Sequence, residues 1–167
     1  VTRVVDQKVR LMRTPEDSPP LDRILAESSD DVVYLLAGNG DAGYEKFLHD
    51  LARRHSNFIF LNGYSQRGAD LLYATGDLFL MPSAFEPCGI SQMLAMRDGQ
   101  PCVVHSIGGL KDTVRDGETG FAFTGSSQDE LGNGFVEATR RAVELKRRSD
   151  VEFQKIRSAA FHARFLW

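Results

Sequence analysis

Leu78-Phe79-Leu80-Met81-Pro82-Ser83-Ala84-Phe85-Glu86-Pro87-Cys88-Gly89-Ile90-Ser91-Gln92-Met93-Leu94-Ala95-Met96 is the stretch from which the rest of this chain is read. Its opening apolar run, over Asp77 to Met81, stops at a proline and reads as a buried parallel strand. From Gly89 to Asp98, Ile90, Met93, Leu94 and Arg97 fall at helical spacing on one face. A carboxylate, Glu86, is therefore placed on a strand-to-helix turn. Gly89 stands where the helix begins and lets a ligand come close to the backbone. Free amides and the positive end of a helix dipole suit such a turn to phosphate.

Outward from that unit, apolar runs alternate with helical patterns. Strands are predicted at Val1 to Val5, Asp31 to Ala37, Asn57 to Leu61, Pro101 to His105 and Phe121 to Phe123. Helices are predicted at Ala42 to His55, Gln66 to Thr75, Gln128 to Leu145 and Asp150 to Phe165. Thr14 to Pro20 reads as a loop because of its prolines. The β-α-β-α rhythm predicts an α/β fold with a doubly wound parallel sheet, in a single domain spanning residues 1–167. In an open sheet of this kind, ligands bind at the carboxyl ends of the strands. Each motif below follows a predicted strand.

Composition narrows the function classes. The 167 residues are 42% hydrophobic and 26% charged, enough for one domain with a real core. A formal net charge of −3 gives no electrostatic case for nucleic acid or an anionic membrane surface. No apolar stretch approaches the roughly 20 residues that span a bilayer, and no signal peptide is visible, so a cytoplasmic setting is expected. The basic run Arg140, Arg141, Lys146, Arg147 and Arg148 reads as a solvated helix face. Cys88 and Cys102 form no disulfide framework and match no zinc spacing, and the four histidines are scattered. Cys88 reads as a small buried hydrophobe.

Several residues carry chemistry in this frame. Arg3 and Lys8 straddle the end of the first predicted strand, and a guanidinium fork beside an ammonium suits phosphate. Gly38-Asn39-Gly40-Asp41 is a tight turn whose bare backbone can approach a ligand. It is not a dinucleotide fingerprint, because the third Gly is absent. Tyr64, on a Gly-containing loop, either stacks on a nucleobase or is a partly buried loop residue. Ser91 either reaches a phosphate oxygen or caps its helix. Gly108 and Gly109, after the strand ending at His105, again allow close backbone approach.

Phe85-Glu86-Pro87-Cys88-Gly89 at the head of a helix resembles the signature of bacterial glycogen synthases and plant starch synthases. The opening Thr2-Arg3-Val4-Val5-Asp6-Gln7-Lys8 resembles the family's Arg-Leu-x-x-Gln-Lys-Gly, with Val9 in place of the usual Gly. Gly38-Asn39-Gly40-Asp41 is similar to its Gly-x-Gly-Asp loop, and the segment His105 to Val114 to its Thr-Gly-Gly-Leu-x-Asp-Thr-Val. The resemblance runs from Arg3 to about Phe161.

The resemblance implies a Rossmann-like domain, the C-terminal, donor-binding half of a two-domain GT-B glycosyltransferase. The N-terminal acceptor half is absent, and the final crossover helix breaks off near residues 161–167. It implies a retaining transferase moving glucose from ADP-glucose or UDP-glucose to the non-reducing end of an α-1,4-glucan. Glu86 is the implied catalytic carboxylate. Arg3, Lys8, Gly89, Ile90 and Ser91 hold the diphosphate, and Tyr64 lies on the base. No metal or other cofactor is implied, since no Asp-x-Asp-type cluster is present. Many relatives carry a second acid eight residues after the first. Leu94 stands there, as in the glycogen and starch synthase branch, and the ribose contact stays unassigned. Rival readings are a GT-B transferase with another sugar or acceptor, a nucleotide-sugar epimerase, and a non-catalytic nucleotide-binding module. The fragment alone is expected to be inactive.

Overall fold

The computed structural model describes residues 1–165 and contains five strands and eight helices there. Strands β1 (Tyr34–Gly38) and β2 (Phe58–Asn62) form one parallel ladder, with Tyr34 opposite Phe58 and Gly38 opposite Asn62. Strands β3 (Phe79–Met81), β4 (Cys102–His105) and β5 (Gly120–Phe123) form a second. All pairings among these strands are parallel, as the β-α-β-α rhythm predicts.

The strand expected at Val1 to Val5 is reduced to a single bridge between Val4 and Gly40. The segment does run beside β1, with Thr2 N–H on Ala37 O and Val4 N–H on Asn39 O, both at 3.0 Å. At Val5 the chain turns into α1 (Asp6–Arg13).

Helix α1 and helix α2 (Pro20–Glu27) lie where no helix is predicted. In α1 the charges Asp6, Lys8, Arg10 and Arg13 mask the buried set Val9, Leu11 and Met12. Pro20 opens α2 at its first position, where a missing N–H costs nothing. The predicted loop is thus confined to residues 14–19. Helix α3 (Ala42–Arg54) is capped by Asp41, whose carboxylate accepts from the amides of Gly43 and Tyr44. Helix α4 (Gln66–Thr75) has the predicted bounds and is capped by Ser65. Helix α5 (Ser91–Arg97) follows the Glu86 turn, and α6 (Gly108–Thr113), not predicted, follows β4. Helix α7 (Gln128–Arg148) runs three residues past its predicted end. Helix α8 (Asp150–His162) stops before Phe165, and the last part of the expected crossover, residues 166–167, lies outside the described residues. Among the described residues, no helix is long and apolar enough to cross a membrane.

Apolar residues cover both faces of the β3–β5 ladder, which is why these strands read as continuous apolar runs. Val103, Phe121 and Phe123 join Val9, Leu11, Leu48 and Phe135 in one core. Phe79, Met81, Cys102 and Val104 join Tyr73, Met96, Leu110 and Ala160 in another. Gln100, fully enclosed, donates to the carbonyl of Leu72 at 2.6 Å and ties the start of β4 to the end of α4.

Asp22 joins α2 to the end of α3 through Arg54 (3.0 Å) and His55 (2.5 Å). Burial pushes its carboxyl up, but the bonds from His55 and Arg54 outweigh burial and leave it below the ordinary carboxylate value. A depressed folded value means that the stabilisation is present above the unfolded value, about 3.9. It is lost as pH falls through the folded one. Asp22→Asn is expected to cost on the order of 1 kcal/mol near neutral pH. That cost should shrink as pH falls from 5 towards 2. Thermal unfolding across this range checks it, and a pH-independent cost contradicts the ion-pair account.

Candidate functional site

The motifs singled out in sequence collect at the carboxyl ends of the strands. The loop from Pro82 to Ile90 leaves β3 and is strapped from two sides. On the α1 side, Ala84 N–H donates to Gln7 O at 2.8 Å, and the Gln7 side chain donates to Phe85 O at 2.7 Å. On the α6 side, Gly109 N–H donates to Glu86 O at 2.9 Å. Glu86, although on a loop, is only 7% exposed.

Its carboxylate forms an ion pair with Lys8, which the first turns of α1 bring to it from 78 residues away. Ser83 Oγ lies 3.4 Å from the same carboxylate oxygen and is itself buried. His105, buried at the end of β4, bonds through Nδ1 to Ser83 O at 3.0 Å. A carbonyl can only accept, so Nδ1 carries the proton in this bond. The imidazole stacks on Phe123, with ring centroids 5.6 Å apart. Glu86 is thus held by a cation, a hydroxyl and a loop anchored through His105.

The glycines owe their positions to this chain's own backbone. A Cβ on Gly108 would lie 2.0 Å from Glu86 O, and one on Gly109 would lie 2.0 Å from Cys88 O. Gly38 and Gly40 meet Thr2 O and Val4 O in the same way, at 1.8 and 2.3 Å. The close approach expected at these four positions is therefore taken up by chain–chain contact. It seats the 86–88 turn on α6 and the N-terminal segment on β1. Gly89 adopts φ +76°. Beside it Gln92, fully enclosed, donates to Gly89 O at 2.9 Å and Cys88 O at 3.2 Å, shaping the turn from inside.

The remaining predicted residues lie at different depths. Arg3 is exposed and forms no ion pair among the described residues. Ser91 borders, with Lys8 and Ser83, a void of about 10 Å³. No side-chain cap bond is present at the start of α5. Ile90 and Phe85 are exposed. Tyr64, 65% exposed, is the loop residue read for base stacking, and its hydroxyl donates to Gln66 at 2.6 Å. Gly63 N–H on Gly38 O (3.1 Å) draws its loop to the turn after β1. Cys88, expected buried, is exposed, because the turn faces outward there. Cys102 is buried, and burial pushes its thiol up.

Ser83, Gln92, His105 and Glu45 are not among the site residues that the sequence suggests. Glu45 accepts from Gly40 N–H (2.7 Å) and the Asn62 side chain (3.1 Å), joining the turns after β1 and β2. Those bonds, Gly40's first, hold its carboxyl below the ordinary range. The one signal for Gln92 was a polar residue amid Met93, Leu94, Ala95 and Met96.

Residues 21–151 match the family described as glycosyl transferases, group 1. The chain belongs to that family. It is similar to a glycogen synthase of Desulfitobacterium hafniense, 41% identical over an alignment of 154 positions that takes in 88% of this chain and 32% of that protein. A glycogen synthase of Aeromonas hydrophila is 35% identical over an alignment of 175 positions that takes in all of this chain and 34% of that protein. This group 1 chain thus spans about a third of the length of these relatives. Among solved structures, the catalytic domain of starch synthase IV from Arabidopsis thaliana, bound to ADP and acarbose, superposes with a TM-score of 0.82. It is 28% identical, over 99% of this chain and 34% of that one. Anabaena Alr3699/HepE in complex with UDP-glucose gives 0.71 at 26% identity, over 96% of this chain and 41% of that one. The fold is that of GT-B glycosyltransferases, as the sequence resemblance implied.

Proposed function

We propose that this chain is the donor-binding half of a retaining glucosyltransferase. In this reading the whole enzyme moves glucose from ADP-glucose or UDP-glucose to the non-reducing end of an α-1,4-glucan. The observation that carries the reading is the buried Glu86 carboxylate, held by Lys8 and Ser83 at the strand ends. A carboxylate fixed in this way can stabilise positive charge that develops at the anomeric carbon of a sugar. The relatives named glycogen synthase, and the starch synthase bound to ADP, support the same chemistry.

Arg3 offers a free guanidinium for the donor's diphosphate. The Lys8 ammonium has three donors and can keep Glu86 while giving a bond to a phosphate oxygen. The amides near Gly89 and Ile90 and the Ser91 hydroxyl complete the diphosphate seat, and Tyr64 offers an exposed ring to the base. The C1–O bond to phosphate breaks as the acceptor hydroxyl adds from the same face, and the hydroxyl proton goes to the departing phosphate oxygen. The acceptor is assigned to the remaining part of the longer enzyme. No step calls on a metal ion.

Calorimetric titration with ADP, UDP and adenosine, with a chelator present, tests the donor site. Binding of one diphosphate is expected without added metal. Charge-assisted bonds contribute about 1.5–3 kcal/mol, so Arg3→Ala should weaken that diphosphate about tenfold or more and leave adenosine unchanged. Strict dependence on a divalent ion, or equal losses for ADP and adenosine, contradicts this account of diphosphate recognition.

A further inference from the structure

Each residue from Ser83 to Glu86 is tied through its backbone to a neighbouring element. Ser83 O accepts from His105 Nδ1 (3.0 Å), and Ala84 N–H donates to Gln7 O (2.8 Å). Phe85 O accepts from the Gln7 side chain (2.7 Å), and Glu86 O from Gly109 N–H (2.9 Å). The Gln7 side-chain bond lies at the surface, where water can take its place. The His105 bond is enclosed, since both Ser83 and His105 are buried. A carbonyl that loses its donor there is left unsatisfied.

The backbone cannot make this tie by itself. The β3–β4 ladder ends at Met81 opposite Val104. Pro82, next in line, has no N–H with which to carry it further. The imidazole of His105 reaches across instead and takes hold of Ser83, one residue beyond the proline. His105 is itself held firmly. It lies opposite Phe123 in the β4–β5 ladder, its carbonyl accepts from Ile107 N–H at 2.8 Å, and its ring stacks on Phe123 with the planes 18° apart. A histidine that only filled the core would be exchangeable for another ring. Here the Nδ1 donor is spent on the loop that carries Glu86.

We infer that His105 is a positioning residue for the Glu86 carboxylate. By holding Ser83 O it fixes the loop that places Glu86 against the anomeric carbon of the donor sugar. The inference rests on the reading of Glu86 under the proposed function. His105 acts through the loop and not through its charge, so what the site needs from it is an N–H at the position of Nδ1. Without that bond Ser83 is free to shift, together with the hydroxyl that lies 3.4 Å from the Glu86 carboxylate.

The test compares two variants of the full-length enzyme. His105→Phe keeps a ring to stack on Phe123 but loses the donor. His105→Asn loses the stack and leaves a void, but its amide supplies an N–H where Nδ1 stands. His105→Phe is expected to lower kcat by about ten- to a hundredfold, the cost of misplacing a catalytic group by up to about 1 Å. Donor KM should stay near its original value. His105→Asn should recover most of kcat although it melts at a lower temperature. A packing role predicts the opposite order, with the asparagine variant the less active. If the phenylalanine variant does not fold, His105→Ala takes its place, because it leaves a similar void without the donor. Crystals of the variants show the loop independently of activity, displaced at Ser83 to Glu86 without the donor and back in place with asparagine. An unchanged kcat in His105→Phe, or an asparagine variant no more active than the donorless one, overturns the inference. If the unmodified enzyme transfers no glucose and the loop moves as expected, the functional reading alone falls.

Discussion

Glu86→Gln in the full-length enzyme is expected to lower kcat by on the order of 10²–10³, the usual cost of losing one preorganised electrostatic contact. Glutamine keeps the size and hydrogen-bonding reach of the side chain but removes its charge. If that charge acts only as the sugar becomes cationic, donor KM should stay near its original value. The surroundings sharpen this expectation. Glu86 is buried and paired with Lys8, so its charge is little screened by solvent. A carboxylate that only binds ground-state sugar would raise KM and leave kcat unchanged. Both constants, measured at saturating glucan, separate the two cases, and an unchanged kcat defeats the assignment. Circular dichroism of the variant checks that loss of the Lys8 pair has not unfolded the site.

Gly109→Ala should come close to that loss without touching any charge. Its new methyl would sit 2.0 Å from Cys88 O and 2.6 Å from Cys88 Cα, all backbone that cannot swing aside. Either α6 or the 86–88 turn must move, and the bond from Gly109 N–H to Glu86 O is strained or lost. Displacement of a catalytic group by about 1 Å commonly costs about a hundredfold in rate. Overpacking adds about 1–3 kcal/mol of destabilisation. Gly117→Ala is the control. Gly117 has φ +74° but nothing within 4 Å of a new Cβ, so that change should cost about 1 kcal/mol of stability and no activity. Equal rates for both variants would show that the 86–88 turn tolerates movement.

The two substitutions differ in how legible their sites are before folding. Glu86 stands out in sequence because it lies in Phe85-Glu86-Pro87-Cys88-Gly89, which resembles the family signature; alone, a loop Glu reads as a solvated surface residue. Gly109 also stands out, but for a different reason from the one that holds in the fold. Its bareness reads as room for a ligand, and the space is filled by the chain's own turn. Helix α1 shows the converse. Half of its residues are charged, so its pattern reads as surface, although Val9 and Leu11 are completely enclosed.

The sequence by itself determined the parallel α/β class, the order and approximate bounds of α3, α4, β3, β4 and β5, and the placement of Glu86, Tyr64 and the glycine turns after strands. All of these follow from periodicity, turn chemistry and a short motif, which act within a few residues. Only the tertiary structure decided that Lys8 pairs with Glu86, that His105 and Ser83 hold the same loop, that Gln92 shapes it from inside, and that the named strands form two ladders, β1–β2 and β3–β5. The physical reason is range. Lys8 meets Glu86 across 78 positions and His105 meets Ser83 across 22. Although Gln92 and Ser83 reach only three or four residues along the chain, nothing local distinguishes a buried Gln or His that braces a loop from one that merely fills a core.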